Sequence, residues 1–470
     1  MTRGHLAVHA QFYQPLRRDP WTGRVPEDPS AAPFHDWNAR VAAECYKPNA
    51  DRGNLEHVSW NLGPSIAAWL AEHDPATHEA FVAAARNGLA QAVDHAILPL
   101  ASAADRRTEV RWGIRDFELR FGRRPRGLWL PETGVDSATL RVLAEEGIQF
   151  TILAPWQAAD PAIDTRHPYR VDLGGGASIV VVFYDGGLST AVSFEPEATS
   201  DATRFARDRV TARLGGPAPA GFDGSLAVIA TDGELYGHHQ QFRDLFLQHL
   251  VSPDDGQPPR EFDIVPLVDV IDGGGHRFPP VRIAERTSWS CHHGVARWSA
   301  ECPDAFDGTW KGPLRSAFDR LAGAIDEATE AAFGRTAGAP DPWPVRDAYV
   351  EVVVGHAEPA AFAADCLGSV RSDADRARLM SLLEAQRWRL AMFASDGWYW
   401  DDPIRPETKQ VLRSAARAVR IVDSIAGTHL ERRLVADLGI LASPSRRLDG
   451  AAIYRTALAE IGQPAPAGAS

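Results

Sequence analysis

The sequence predicts an α/β chain: a (β/α)7-type parallel barrel followed by a C-terminal α-helical domain. Three observations carry this. Short apolar runs alternate with helical patterns from residue 126 to 267, and with the first strand they make about seven βα units. Beyond about residue 310 strand signals fade, and helical patterns cover 312–334, 343–355, 357–367, 371–396 and 405–426. Between these regions, residues 272–277 (Asp-Gly-Gly-Gly-His-Arg) break the alternation. The expected division is a barrel at 1–280, a helical domain at 281–462 and a low-complexity, frayed tail at 463–470.

Residues 5–12 read as the first strand. An irregular excursion follows at 13–60, punctuated by Pro15, Pro20, Pro26, Pro29, Pro33 and Pro48. Loops that long are usually functional, and 16–60 is a candidate lid. Residues 64–73, 77–93 and 110–121 read as helices. Strands are expected at 126–131, 149–153, 178–184, 226–231 and 263–267, with helices at 137–147, 201–213 and 240–251. Asp136 or Ser137 caps the first of these helices.

Composition narrows the function. The 470 residues are 44% apolar and 24% charged, which is ordinary globular usage. No apolar run approaches the ~18–20 residues of a membrane helix. The N-terminus lacks a signal-peptide core, so a cytoplasmic protein is expected. A net charge of −13 argues against a nucleic-acid partner. Cys45, Cys291, Cys302 and Cys366 form no Cys-x-x-Cys pair, so neither a zinc module nor a disulfide scaffold is indicated. The 14 Trp are in excess, several beside polar clusters; an indole face suits the C–H face of a sugar ring, although core packing accounts for many.

In a parallel barrel the reacting groups gather where strands end. One strand ends in Pro131-Glu132-Thr133-Gly134, a second in Asp232-Gly233-Glu234-Leu235-Tyr236-Gly237-His238-His239, and the first in His9-Ala10-Gln11-Phe12-Tyr13-Gln14-Pro15. Two carboxylates from opposite strand ends suit glycosidic bond cleavage, one attacking the sugar and the other protonating the leaving oxygen. Helix capping or pairing with an Arg is the bland alternative for Glu132, and capping or cation binding for Asp232 and Glu234. A competing reading gathers His9, His95, Asp232, His238, His239, His292 and His293 around a divalent metal, as in deacetylases on related barrels. Against it, adjacent His238 and His239 diverge, there is no His-x-x-x-His, and the first strand lacks an early Asp-Asp pair.

These residues resemble glycoside hydrolase family 57, the α-amylase, glucanotransferase and branching-enzyme family. His9 to Pro15 resembles its His-Gln-Pro opening motif, with Gln11 where a second His usually stands. His95 to Leu100 resembles the second motif, and Trp129-Leu130-Pro131-Glu132 the nucleophile motif. Asp232 to Gly237 resembles the acid/base motif, and Trp289 to Glu301 the fifth motif. Residues 36–64 and 386–408 look like a bacterial branch with a C-terminal domain of undefined function. The resemblance implies Glu132 as nucleophile and Asp232 as acid/base. His9, Gln14, His95, Trp129, Glu234, His238, Trp289, His292 and Trp298 are the expected substrate contacts. It implies a retaining, double-displacement hydrolase acting on α-glucans or related oligosaccharides, with no metal and no cofactor. Transfer between glucans on the same site, or glucan binding without catalysis, are the other readings. The sugar, the linkage and the oligomeric state are left open.

Overall fold

The structure, a computed structural model, describes residues 4–215, 222, 224–252, 260–272 and 275–464. The last six residues of the expected frayed tail and two of the glycines in the 272–277 break lie outside the described residues. The chain divides into two units that interleave in sequence: Met1–Gln14, Glu27–Ala92 and Phe117–Ser290 form unit 1, and Pro15–Pro26, Val93–Asp116 and Cys291–Ser470 form unit 2. The expected 280/281 boundary lies shortly before Ser290, where unit 1 ends.

Among its described residues unit 1 carries nine strands: β1 (Gly4–Phe12), β2 (Ser59–Leu62), β3 (Gly88–Gln91), β4 (Leu128–Trp129), β5 (Phe150–Leu153), β6 (Tyr169–Gly174), β7 (Ala177–Phe183), β8 (Leu226–Asp232) and β9 (Phe262–Ile264). β8, β1, β2, β3 and β4 pair in that order, all parallel, and β5 pairs parallel with β7. A parallel bridge from Gly127 to Phe150 joins β4 to β5. The Asp185 N–H donates to Val228 O at 2.7 Å, joining the end of β7 to β8. β8, β1, β2, β3, β4, β5 and β7 thus follow one another round a (β/α)7-type barrel. β9 occupies the start of the β1 edge, opposite Gly4 to Leu6, and β2 the end, opposite His9 to Phe12.

Side chains alternate across each strand, so every second residue faces inward. Ala7, Trp129, Phe150, Ile152, Val180, Val182, Leu226, Val228 and Ala230 accordingly meet in one buried cluster, filling the barrel. Their neighbours Leu6, Val8, Val181, Ala227 and Ile229 are buried as well. Strands covered on both faces read as continuous apolar runs, and so β7 and β8 are visible in sequence.

Three expectations are corrected. The helix expected over 77–93 stops at Ala83, and β3 occupies Gly88–Gln91. A four-residue apolar run has no period to separate strand from helix. A Cβ on Gly88 would come within 2.8 Å of the Trp60 ring, so the strand packs where only glycine fits. The excursion expected to be irregular contains the start of β2 and an almost continuous helical stretch from Trp37 to Asp51, capped by Asp36 through Asn38 N–H at 2.8 Å. Its middle, Ala42–Tyr46, is a π-turn just ahead of Pro48. Proline brings no N–H to the helical ladder, and the ladder shifts register there. Cys45, Tyr46 and Asn49 are fully buried, so this part of the candidate lid is packed wall. The hairpin β6–β7, antiparallel and turned through left-handed Gly174, Gly175 and Gly176, is an addition that the βα alternation hides.

Unit 2 is helical. Its main elements are Lys311–Arg335, Pro342–Ala348, Pro359–Leu367, Asp373–Ala391, Pro406–Ala426, Leu430–Leu438 and Gly450–Ala459. Leu314, Phe318, Leu321 and Ile325 recur at three- and four-residue steps along the first and bury one stripe in the unit's core with Leu382, Leu383, Val411, Ala415 and Val419. Among the described residues no helix is long and apolar enough to cross a membrane.

Candidate active site

The end of β4 sets Glu132. Pro131 terminates the strand and opens a single turn, Pro131–Thr133. Glu132 and Thr133 both adopt left-handed backbone, with φ of 53° and 47°. For non-glycine residues this costs on the order of 1–2 kcal/mol each and persists only where surroundings enforce it. Here Gln157 enforces it: its Oε1 accepts from the Thr133 hydroxyl at 2.8 Å, and its Nε2 donates to Thr133 O at 2.8 Å. The Trp289 N–H donates to Glu132 O at 3.1 Å. The carboxylate is held as firmly: Glu132 Oε2 accepts from Trp289 Nε1 at 3.0 Å and from Ser290 Oγ at 2.5 Å. Two donors on one oxygen favour the charged form.

The end of β8 sets the second pair. Asp232 stands opposite Gln11 of β1. Gly233 follows because a Cβ there would meet the Phe12 ring at 2.4 Å, and the chain turns over Gly233–Leu235. Asp232 is open to solvent, yet protein crowds its carboxyl. Burial pushes Asp232 up to about 7, and the charge of Glu132 pushes the same way. The two carboxyl groups therefore sense each other. Glu234 is enclosed, and Oε1 accepts from Tyr13 N–H at 3.0 Å and Tyr46 O–H at 2.5 Å. Burial pushes it up to about 8, with a contribution from Asp232.

Around these acids lies a continuous polar and aromatic lining. His9, fully buried, donates from Nε2 to Asn61 Oδ1 at 3.1 Å, and Asn61 Nδ2 donates to Gln91 Oε1 at 2.6 Å. This chain crosses β1, β2 and β3. Burial lowers His9 to about 3, so its ring is neutral. His9 stacks on Trp129 at 4.7 Å between centroids, and Trp129 meets Trp289 edge-on at 5.0 Å. Tyr184 lies 6.5 Å from the Trp289 ring and feels the charge of Asp232. Gln14 hydrogen-bonds the Tyr46 hydroxyl and so reaches the acid cluster through Tyr46. His238 donates from Nδ1 to Glu44 Oε2 at 2.5 Å.

Of the expected residues, unit 1 brings together Glu132, Asp232, Glu234, His9, Gln14, Trp129 and Trp289, with His238 on the same loop as Glu234. The other three belong to unit 2. His95 is buried there, with Nδ1 2.7 Å from Ser395 Oγ, and burial lowers it to about 3. His292 has an exposed side chain beside Asp304. Trp298, expected as a stacking face, is corrected: it is 1% exposed and packed in the helical core, leaving no open ring face for a sugar.

Several residues escaped the sequence reading. Ser290 directly follows Trp289 and shares its carboxylate. Tyr46, Glu44 and Cys45 come from the excursion and back the β8 loop; the Cys45 thiol donates to Gly233 O at 3.3 Å. Trp156, in the turn after β5, is 51% exposed, edge-on to Tyr184 at 6.0 Å, with Nε1 donating to Ser288 O at 3.0 Å. Its place one turn past a strand end is the signal that marks it. Among the described residues, His, Cys, Asp and Glu donors close enough to share an ion meet at Cys291, His293, Cys302 and Asp304.

Comparisons with known proteins bear on both units. Residues 86–268 match the model described as glycosyl hydrolase family 57, and residues 307–461 a domain of unknown function, DUF3536. No curated protein matches the chain. Among solved structures it is similar to an exo-type maltose-forming amylase from Pyrococcus sp. ST04. That likeness has a TM-score of 0.75 and 13% identity, covering 97% of this chain and 89% of that one. It is also similar to a branching enzyme from Pyrococcus horikoshii, with a TM-score of 0.57 and 15% identity over 93% of this chain and 88% of that one. A 4-alpha-glucanotransferase from Thermococcus litoralis follows, with a TM-score of 0.58 and 14% identity over 89% of this chain and 60% of that one. At these identities the likeness is one of fold.

Proposed function

We propose that this chain, which carries a glycosyl hydrolase family 57 segment at residues 86–268, is a retaining glycoside hydrolase acting on α-glucans or related oligosaccharides. One observation carries the reading: two carboxyl groups at separate strand ends sense each other, and their surroundings drive their protonation apart. Glu132 receives two hydrogen bonds on Oε2, whereas Asp232 is pushed up to about 7. Divergent protonation is what a nucleophile and an acid require.

In the first step the Glu132 carboxylate attacks the anomeric carbon and the glycosidic bond breaks. Asp232 gives its proton to the departing oxygen, leaving a glycosyl ester on Glu132. In the second step Asp232, now a carboxylate, takes a proton from water as the water oxygen attacks the same carbon, freeing Glu132. Trp289 Nε1 and Ser290 Oγ orient the attacking carboxylate. Glu234, Tyr46 and Gln14 hold the β8 loop, and Trp156 offers an open indole face to a sugar ring. Such a pair belongs about 5–5.5 Å apart; inversion needs about 6.5–9.5 Å. The substrate class is supported by the family segment and by the glucan-acting enzymes that share the fold. A cytoplasmic location accords with four free cysteines.

The test is a product screen on starch, glycogen, maltooligosaccharides and trehalose, with Glu132→Gln as control. Release of shorter sugars with retained anomeric configuration supports the reading. Ladders longer than the donor convert it to transfer. Glucan binding by both proteins with no turnover by wild type overturns catalysis.

A further inference from the structure

Unit 2 holds a cluster that glycoside cleavage does not use. Two short hooks, Cys291-His292-His293 and Cys302-Pro303-Asp304, each present a cysteine and, two residues later, a second donor. The four ligand atoms lie within 4.8 Å of one another. The Sγ atoms are 3.4 Å apart, Cys302 Sγ is 3.6 Å from His293 Nδ1, and that nitrogen is 3.3 Å from Asp304 Oδ2. Sulfur at about 2.3 Å and nitrogen or oxygen at about 2.0–2.1 Å from one tetrahedral centre stand roughly 3.3–3.8 Å from each other. These three spacings fall in that window, and the remaining pairs lie within 4.8 Å. A disulfide needs about 2.05 Å between the sulfurs, and both cysteines are free.

Burial pushes the Cys291 thiol up to about 11, and nearby hydrogen-bond donors act against that push. Backbone N–H groups of His293 and Arg297 hydrogen-bond Cys291. The Lys311 amino group is buried without a hydrogen-bond partner and feels both cysteines. The first hook is shaped by left-handed Gly294, whose N–H donates to Cys291 O at 3.2 Å. The second is tied to it by His292 N–H donating to Asp304 Oδ2 at 2.9 Å. Both cysteines are buried in the helical core, while His293 and Asp304 lie at the surface.

We propose that Cys291, His293, Cys302 and Asp304 bind one zinc ion. Two thiols lose their protons to solvent on binding. With two thiolates and one carboxylate the site is one negative charge in excess, which the Lys311 ammonium offsets. Thiolate, imidazole and carboxylate together select zinc over harder cations. Four protein donors leave no position for water, so the ion staples the segment from 291 to 304 and takes no part in the barrel chemistry.

The full chain, expressed in zinc-supplemented medium and dialysed, is expected to carry about one zinc per chain by elemental analysis. Chelation lowers its melting temperature. His293→Ala and Asp304→Ala change surface residues and keep the fold; each is expected to weaken zinc binding at least about tenfold. A variant-free measurement accompanies them: wild type loaded with cobalt shows a thiolate-to-cobalt charge-transfer band and tetrahedral d–d bands. A Cys291–Cys302 disulfide in intact-mass analysis, cobalt protein without the thiolate band, or zinc content unchanged in both variants would overturn the proposal.

Discussion

Both units crowd carboxylates with protein, and they treat them in opposite ways. In unit 2, Asp105 lies between Arg346 Nη1 at 3.0 Å and Arg389 Nη1 at 2.6 Å, and Asp326 accepts from Arg389 Nη2 at 2.7 Å. Burial alone would raise Asp105, but Arg389 and Arg346 outweigh it and hold that carboxyl below its usual range. In unit 1, burial and the charge of Glu132 act together on Asp232 and push it up to about 7. Asp105, between two guanidinium groups, stays charged and works as glue, whereas burial raises Asp326 despite Arg389. A carboxyl group crowded by protein and facing another acid carries a transferable proton. One pair in unit 2 departs from the pattern: Asp94 and Glu109 face each other, and burial raises both, to about 7 for Asp94. An acid–acid contact is thus informative when a strand end also delivers it to an opening, as with Asp232.

The contrast can be broken experimentally. Glu132→Gln removes the nucleophile and is expected to cost turnover on the order of 10⁴-fold or more while leaving glucan binding intact, read by steady-state kinetics beside calorimetry. Asp232→Asn is expected to cost about 10²–10⁴-fold. In wild type kcat/KM should fall as pH rises through about 7, where Asp232 loses its proton, and the residual activity of the variant should lack that limb. Arg389→Met acts on the other side of the contrast: it removes the cation paired with Asp326 and leaves Asp105 with Arg346 alone, and urea unfolding should show a loss of about 3–5 kcal/mol. Trp289→Phe keeps the ring but removes a donor to a charged oxygen; kcat should drop by about 1.5–3 kcal/mol of barrier with KM nearly unchanged. The smallest effect is on stability. Asp232 titrates higher folded than unfolded, so its contribution is fully present below about pH 4 and is lost as pH rises through about 7. Asp232→Asn should therefore gain melting temperature relative to wild type between those values; a difference that ignores pH would refute the raised value.

Legibility followed the length and pattern of each element. β1, β7 and β8 are long, doubly covered apolar runs and read directly from the sequence. β2 and β3 are four residues each, too short for any period, and β3 was absorbed into the preceding helix. Glu132 and Asp232 were visible because each stands where an apolar run ends, Leu128 to Leu130 for the first and Leu226 to Thr231 for the second, and so must lie near a strand end. Their hydrogen-bond partners were not: Trp289 Nε1 meets Glu132 across 157 residues, and Tyr46 meets Glu234 across 188. Trp298 misled because a tryptophan beside polar residues looks the same in sequence whether its ring lies open or packed.

The amino-acid sequence by itself determined the long strands β1, β7 and β8, where they stop, and that two acids sit at strand ends, because hydrophobic periodicity and turn chemistry are local. Only the tertiary structure decided which acid is held charged and which is driven toward neutrality, and which cysteines meet a histidine and an aspartate. Protonation and coordination depend on the few ångströms around an atom, and chain segments far apart in sequence supply those neighbours.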